Sequence, residues 1–132
     1  MEDNWSNLYE KLLSNVKSQI ISPFVKLGGT YCLIETTAGK NYIGTDINTS
    51  GNITSSITNA INQMLTYDQN ITKIILINEL GEIVIPQLNL LEPILELCQN
   101  YEEISILISL KPLKTSSLAE LLPVWWGIIK QK

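Results

Sequence analysis

The sequence predicts a single α/β domain over residues 1–132, with a mixed central sheet of about five strands and helices on both faces. The length and the 45% hydrophobic content suit one domain with one closed interior. Two segments, Thr72–Asn78 and Glu103–Ser109, have the pattern of buried strands, which are covered on both faces. Segments with helical periodicity alternate with the strands, and this order predicts a three-layer α/β/α arrangement.

The first segment is predicted to form a helix that ends before Pro23. Its apolar residues recur at intervals of three and four, so they line one helix face. These residues are Trp5, Leu8, Tyr9, Leu12, Leu13, Val16 and Ile20.

A β-hairpin and a second helix are predicted next. Thr30–Thr36 and Asn41–Ile47 are rich in β-branched and aromatic residues and flank a short turn, which predicts the hairpin. Thr54 or Ser55 can cap the following helix. Its apolar residues, at i, i+3, i+4, i+7 and i+8, are Ile57, Ala60, Ile61, Met64 and Leu65.

The later elements are shorter. Glu82–Ile85 is predicted to be a short strand, and Leu90–Cys98 a helix that tolerates Pro93 only in its first turn. Ser117–Glu120 has the spacing of a capping box and predicts a last short helix, Leu118–Leu122.

Composition excludes several classes of function. The net charge is -4, and the nine basic residues are all lysines, which form no cluster, so we expect no binding to nucleic acid. No apolar run approaches the length that spans a bilayer, and the acidic start of the chain lacks a secretion signal. We therefore expect a soluble cytoplasmic domain.

The residues used in nucleophilic and acid–base catalysis are scarce. The chain has no histidine, which excludes Ser-His and Cys-His nucleophile pairs. Cys32 and Cys98 each lie alone among apolar residues, and we interpret them as small core residues rather than reactive or paired thiols.

Two motifs and the element order resemble one family. Gly39–Gly44 has the sequence Gly-Lys-Asn-Tyr-Ile-Gly, and Leu118–Gly127 has the sequence Leu-Ala-Glu-Leu-Leu-Pro-Val-Trp-Trp-Gly. They are similar to the Gly-Lys-x-Tyr-x-Gly and Leu-x-Glu-Leu-Leu-Pro-x-Ala-Phe-Gly of the small zinc-dependent cytidine deaminases. The resemblance extends from the first helix to Gly127 and implies a cytidine-deaminase-like fold.

The resemblance also shows what the chain lacks. The family holds zinc and shuttles a proton with a His/Cys-Ala-Glu at its second helix and a Pro-Cys-x-x-Cys at its third. Ser55 and Ile57 stand at the matching positions of the first motif, and Gln87 and Leu90 at the two cysteines of the second. All four positions are degenerate, so we expect no metal, no cofactor and no catalysis.

Two polar residues and two tryptophans remain as candidates for binding. Asp46 and Asn48 match the family's Asn-x-Glu, which holds the nucleoside sugar, so they are weak ligand-binding candidates; alternatively they are ordinary polar residues at a strand end. Trp125 and Trp126 match the family's Ala-Phe and are weak interface candidates, or they pack on the first helix. Trp5 and Tyr9 on that helix could be part of the same surface.

The sequence thus favours a catalytically inactive cytidine-deaminase-like protein that binds or oligomerises, as a dimer or tetramer. One alternative is a nucleoside or base sensor that uses the remnant pocket. Another is an accessory subunit of an active deaminase. An active cytidine deaminase is the least favoured reading, because a fold does not bring its chemistry when the site residues are gone.

Overall fold

A computed structural model describes residues 2–17, 19–68, 70–86, 90–91, 94 and 101–121. Within these ranges the chain forms an α/β structure with two bounded α-helices, α1 (Glu2–Leu13) and α2 (Ser56–Met64). The strands are β1 (Gln19–Ser22), β2 (Val25–Thr36), β3 (Asn41–Thr49), β4 (Asn52–Thr54), β5 (Ile71–Asn78), β6 (Ser105–Leu110) and β7 (Leu113–Ser117). Two 3₁₀-helices cover Tyr101–Glu103 and Leu118–Leu121.

The seven strands form one mixed sheet in the order β4-β3-β2-β5-β6-β7, with β1 paired to β2. The pairing of β5 with β6 is parallel and the other pairings are antiparallel. The predicted mixed sheet is confirmed, but it has more strands than expected. The added strands β1, β4 and β7 are short and contain no fully buried residue, so their sequences carry no strong hydrophobic alternation.

Two apolar cores lie on opposite faces of the sheet, which confirms the expected layers. Neighbouring β2 residues Tyr31 and Cys32 point to opposite faces and are both fully buried, as the pleat requires. The α1 core contains Trp5, Leu8, Leu12, Tyr31, Leu33, Ile75, Ile77 and Leu107. The α2 core contains Cys32, Ile34, Ile57, Ala60, Ile61, Met64, Ile71, Ile74, Leu76, Leu91, Ile94, Ile104, Ile106 and Leu118.

The first helix ends at Leu13, so its predicted extension toward Pro23 was wrong. Ser14 Oγ and Asn15 Nδ2 both donate to the Lys11 carbonyl, at 2.7 and 2.9 Å, and so take the place of a further helical turn. Ile20, which continued the helical period, lies in β1 and is 76% exposed.

The predicted hairpin and two helix caps are confirmed. The hairpin is formed by the parts of β2 and β3 that flank the turn between them, and Ser55 is the N-cap of α2. The Ser117 N–H donates to Glu120 Oε1 at 3.0 Å, and the Glu120 N–H donates to Ser117 Oγ at 3.3 Å, which completes the capping box. The hydrogen bonds of the Ser117 backbone and then of its side chain lower the pKa of Glu120.

The predicted strand at Glu82–Ile85 was wrong, because only Ile83 forms a bridge, to Ile77. Strand β6 pairs in parallel with β5 near Ile74. On that edge of β5, the part near Ile77 is therefore left for another partner. In the predicted third helix, residues 90, 91 and 94 are helical, and the remainder lies outside the described residues. No helix in the described part of the chain combines the length and the apolar character needed to cross a lipid bilayer.

Candidate functional site at the start of the second helix

Ser55, which stands where the resembled family has a metal ligand, serves as the N-cap of α2. Its backbone is extended, with φ -70° and ψ 154°, and its Oγ accepts a hydrogen bond of 3.1 Å from the Thr58 N–H. The Ser55 hydroxyl in turn donates to Thr58 Oγ1 at 3.1 Å. The side chain is therefore used to satisfy the first turn of the helix.

Ile57, which stands where the family has its proton-shuttling glutamate, has no exposed surface and belongs to the α2 core. Leu91 and Ile94 lie in the same core, and the half-buried Leu90 packs against it. Within the described residues, aliphatic side chains therefore occupy the Ile57 position and the start of the predicted third helix. They carry no proton at neutral pH and offer no lone pair to a metal.

Helix α2 lies unusually close to β3. A Cβ atom at Gly44 would overlap the Ser56 carbonyl oxygen and the Ala60 backbone nitrogen. Asn59 Nδ2 also donates to the Thr45 carbonyl at 2.6 Å, on the part of β3 that β4 does not cover. This close approach brings the start of α2 against the side chain of the second residue after Gly44.

That residue is Asp46, whose carboxylate joins β2, β3 and α2. Its Oδ1 accepts from the Ser56 N–H at 2.7 Å and from the Thr30 hydroxyl at 2.8 Å, and its Oδ2 accepts from the Thr30 N–H at 2.9 Å. The hydroxyls of Thr30 and Ser56 are 2.8 Å apart and close the network. The positive end of the helix dipole also favours a carboxylate here. Both Asp46 oxygens are thus engaged within the chain.

Thr30 and Ser56 are the members of this network that the sequence analysis did not identify. The preceding Gly28-Gly29 pair was the available signal in the sequence. Gly29 has φ +124°, and a Cβ there would lie 2.8 Å from Asp46 Oδ2. Glycine at this position therefore makes room for the carboxylate.

Asn48 lies two residues after Asp46, on the same face of β3. It is paired with Lys26 in β2 and Ile53 in β4, and it lines a cleft of about 520 Å³. The other lining residues are Ile20, Ser22, Pro23, Phe24, Val25, Lys26, Ser50 and Gly51. Asp46 does not line this cleft, so the two ligand-binding candidates share a sheet face but not this pocket.

Cys32 is fully buried in β2, close to this network. Burial, and secondarily the negative charge of Asp46, raises the pKa of the Cys32 thiol. The thiol stays protonated at neutral pH and offers no thiolate to a metal or a substrate. Cys98 lies outside the described residues.

The side chains described around the start of α2 do not fit a zinc ion. Zinc in proteins takes about four ligands from thiolate, imidazole and carboxylate groups. No three His, Cys, Asp or Glu side chains in the described ranges are grouped to hold a metal. Of the four positions that match the family's motifs, Ser55 caps a helix, Ile57 and Leu90 are aliphatic, and Gln87 lies outside the described residues.

The aromatic interface candidates are only partly described. Trp125 and Trp126 lie outside the described residues, and their role stays a prediction. Trp5 is 8% exposed in the α1 core, so it does not extend an outer surface as the sequence allowed. The hydrophobic face of α1 directs this ring onto the sheet.

Comparison with solved structures identifies the fold as cytidine-deaminase-like. The chain is similar to cytidine deaminase from Mycobacterium tuberculosis, with TM-score 0.72 and 14% identity over 92% of this chain and 95% of that chain. For the enzyme from Mycobacterium leprae the TM-score is 0.71, with 15% identity over 91% and 98%. For that from Burkholderia pseudomallei it is 0.68, with 16% identity over 90% and 96%.

The similarity is one of structure, and at this identity it establishes the fold alone. No protein-family model and no curated protein matches the sequence. The expected fold is confirmed by these neighbours. The activity has to be argued from the residues of this chain.

Proposed function

We propose that this chain is a non-catalytic protein of cytidine-deaminase-like fold that acts by binding, principally to further copies of itself. The observation that carries the proposal is Ile57, a fully buried aliphatic residue at the position where the resembled family has its acid–base glutamate. Deamination of cytosine requires a group that transfers a proton to the leaving amine. An isoleucine cannot perform that step.

The hydrogen bonds at the start of α2 support the same proposal. The Ser55 hydroxyl is bonded to Thr58, and the Ser56 N–H is bonded to Asp46. These groups stabilise the helix start, so they are not free to hold a water molecule and a substrate base. The Ser55 hydroxyl and the Ser56 N–H, at the positions that match the family's first motif, therefore stabilise the fold.

Exposed apolar side chains on the outer strands support a binding role. Ile20, Phe24 and Ile53 are 76%, 70% and 69% exposed. Cross-strand pairing places Ile20, Lys26, Asn48 and Ile53 in one row across β1, β2, β3 and β4, and therefore on one face. We call this set, together with Phe24, the outer-strand patch; apolar surface of this kind is typical of protein contacts.

The edge of the sheet suggests how a second copy would bind. Strand β4 begins the strand order, so its outer edge is open to another strand within the described part of the chain. An identical β4 can pair with it antiparallel about a two-fold axis, and this arrangement would also bring the two outer-strand patches near each other. Self-association would thus cover both an open edge and apolar surface.

A nucleoside or base sensor is the second candidate, and the cleft beside Asn48 favours it. Its volume of about 520 Å³ is in the range of small-molecule sites, and Asn48 supplies an amide for hydrogen bonding. Asp46, the other predicted ligand residue, is engaged with Thr30 and Ser56, so Asn48 would be the principal contact.

The loss of catalysis is tested by metal content and turnover. We expect protein purified after expression with added zinc to contain far less than one equivalent of zinc and to release no ammonia from cytidine. One full equivalent of zinc together with cytidine turnover would refute the proposal.

Self-association is tested by sedimentation velocity over a range of concentrations. We expect the wild-type chain to sediment as a dimer or tetramer and Ile53→Lys to lower the mass, because a lysine opposes pairing at a sheet edge. Leu80→Lys is the matched control, since Leu80 is 83% exposed outside the outer-strand patch. Trp126→Ala tests the second predicted contact. A monomer at all concentrations would exclude self-association and leave an active deaminase as the partner to test by mixing.

The sensor candidate is tested by thermal shift with nucleosides and free bases. Binding to the folded state raises the melting temperature, and Asn48→Ala should remove the shift. If no compound raises the melting temperature of the wild-type chain, this candidate fails.

A further inference from the structure

A second cleft lies at the other end of β3, where the β2–β3 hairpin turns. It has a volume of about 430 Å³ and is open to solvent. Its lining residues come from α1, from the hairpin turn, from the start of β3 and from the turn after α2: Lys11, Gly39, Lys40, Asn41, Tyr42 and Tyr67. We call it the hairpin cleft. None of these residues belongs to the degenerate deaminase positions.

Two tyrosine rings form one wall of the hairpin cleft. The Tyr42 and Tyr67 rings are nearly parallel, with an interplanar angle of 14° and centroids 6.4 Å apart. Tyr42 is partly buried and packs against the α2 core, whereas Tyr67 is 73% exposed. The wall thus joins a partly buried ring, Tyr42, to an exposed ring, Tyr67, and an aromatic ring that is open to water offers a stacking surface to a planar molecule.

Two ammonium groups lie beside this aromatic wall. Lys40 Nζ is 5.9 Å from the centroid of the Tyr67 ring. The Asn41 amide, oriented to satisfy its neighbours, accepts from Lys11 Nζ at 3.3 Å and donates to Glu35 Oε2 at 3.2 Å. Lysine presents a compact positive charge that attracts a carboxylate or a phosphate.

The carboxylate that is bonded to Asn41 is already engaged. Glu35 Oε1 forms an ion pair with Lys73 at 3.4 Å, and its other oxygen accepts from Asn41. Within the described part of the chain, Lys11 and Lys40 form no ion pair of this kind. The hairpin cleft therefore combines an open aromatic surface with two positive charges that no carboxylate among the described residues neutralises by an ion pair.

We infer that the hairpin cleft binds small molecules that combine a planar ring with a negatively charged group. The ring stacks on Tyr67, and the anionic group lies between Lys40 and Lys11. The chain as a whole carries a charge of -4, so the attraction comes from these two lysines and weakens as salt is added. The inference does not depend on the proposed loss of catalysis.

The experiment separates the ring from the charge. Isotope-labelled protein is titrated with adenosine 5′-monophosphate and with 2-naphthoate, which carry the charge as phosphate and as carboxylate, and backbone amide shifts are followed by NMR. Adenosine and ribose 5-phosphate provide each half alone. We expect saturable shifts at Lys40, Tyr42 and Tyr67 with at least one of the two charged ring compounds. Each half alone should bind at least about tenfold more weakly, a difference of about 1.4 kcal/mol.

Two variants locate the site. Tyr67→Ala and Lys40→Gln should each raise the dissociation constant at least about fivefold, because stacking and charge contribute separately. Leu80→Ala and Lys114→Gln remove an exposed apolar side chain and an exposed lysine elsewhere, and should leave it unchanged. The inference is overturned if neither charged ring compound gives saturable shifts. It is also overturned if the shifts centre on Asn48, if the variants bind as tightly as the wild type, or if ribose 5-phosphate binds as tightly as the nucleotide.

Discussion

The Asp46 carboxylate caps helix α2 from a neighbouring strand, accepting a hydrogen bond of 2.7 Å from the Ser56 N–H. Ser55, the residue just before the helix, caps the same helix by accepting a hydrogen bond from the Thr58 N–H. Two of the N–H groups that a helix start leaves unpaired are thus satisfied by two different side chains. The segment where the resembled family places its metal and its acid–base group is used here to join a helix to the sheet.

The first prediction concerns the charge of Asp46. Asp46→Asn keeps the shape but replaces one acceptor oxygen with a donor that faces Thr30 or Ser56, so a half-buried donor is left unsatisfied. We expect the free energy of unfolding to fall by about 1–3 kcal/mol, measured by urea denaturation at neutral pH. Glu102→Gln, at an exposed carboxylate, is the control and should change stability by less than about 0.5 kcal/mol. Equal effects of the two variants would contradict a structural role for Asp46.

The second prediction concerns Ile57, at the position where the resembled family has its acid–base glutamate. Ile57→Glu restores the family's residue type but buries a carboxyl group in the α2 core, so we expect the free energy of unfolding to fall by about 3 kcal/mol or more. Ile57→Leu keeps the volume and the apolar character, and should cost less than about 1.5 kcal/mol. Urea denaturation measures both. A glutamate tolerated without loss of stability would show that the position is hydrated rather than filled.

The parts of the fold that the sequence predicted are those in which burial controls residue choice. Helix α2 has strong periodicity because one of its faces packs on the sheet, and β2 is rich in apolar residues because both of its faces are buried. Strand β4 is exposed at all three residues, so its sequence shows no hydrophobic pattern that would predict a strand. The end of α1 was missed because Ser14 and Asn15 terminate the helix through their side chains while the apolar period continues to Ile20.

The candidate site likewise contains residues that the sequence located and contacts that it did not. Ser55 and Ile57 were located by resemblance to a family, since no local pattern marks the positions that match that family's catalytic motif. The bonds of Asp46 to Thr30 and Ser56 span 16 and 10 residues of sequence and depend on where β2 and α2 pack. Such contacts leave no periodic signal, and only the glycine at position 29 hinted at them.

The third prediction concerns the close approach of α2 to β3. Gly44→Ala places a methyl group against the Ser56 carbonyl and the Ala60 nitrogen, and both are backbone atoms that cannot rotate away. We expect a loss of about 2 kcal/mol or more in the free energy of unfolding, because the whole helix must shift. Thr49→Ala, at the exposed end of the same strand, should change stability by less than about 0.5 kcal/mol. A stable Gly44→Ala protein would mean that α2 lies farther from the sheet.

The fourth prediction concerns the alkaline stability of the protein and depends on Cys32. Burial, and secondarily the charge of Asp46, raises the pKa of this thiol above its ordinary value of 9.0 in the folded state. In the unfolded chain the thiol ionises near that ordinary value. Above this pH the unfolded state therefore loses a proton that the folded state keeps, and stability falls as the pH rises.

The size of this effect follows from linkage. One proton gives a slope of at most about 1.4 kcal/mol per pH unit above pH 9.0, and none of this loss is present at neutral pH. The measurement is urea denaturation from neutral to strongly alkaline pH in a Cys98→Ala background, with and without Cys32→Ala. Lysines and tyrosines titrate in both proteins, so the difference between the two curves isolates Cys32. We expect that difference to be constant at neutral pH and to shrink above pH 9.0, because only the protein that retains Cys32 has this thiol to ionise on unfolding. Parallel curves would show that the thiol ionises equally in both states, which a fully buried position in β2 does not permit.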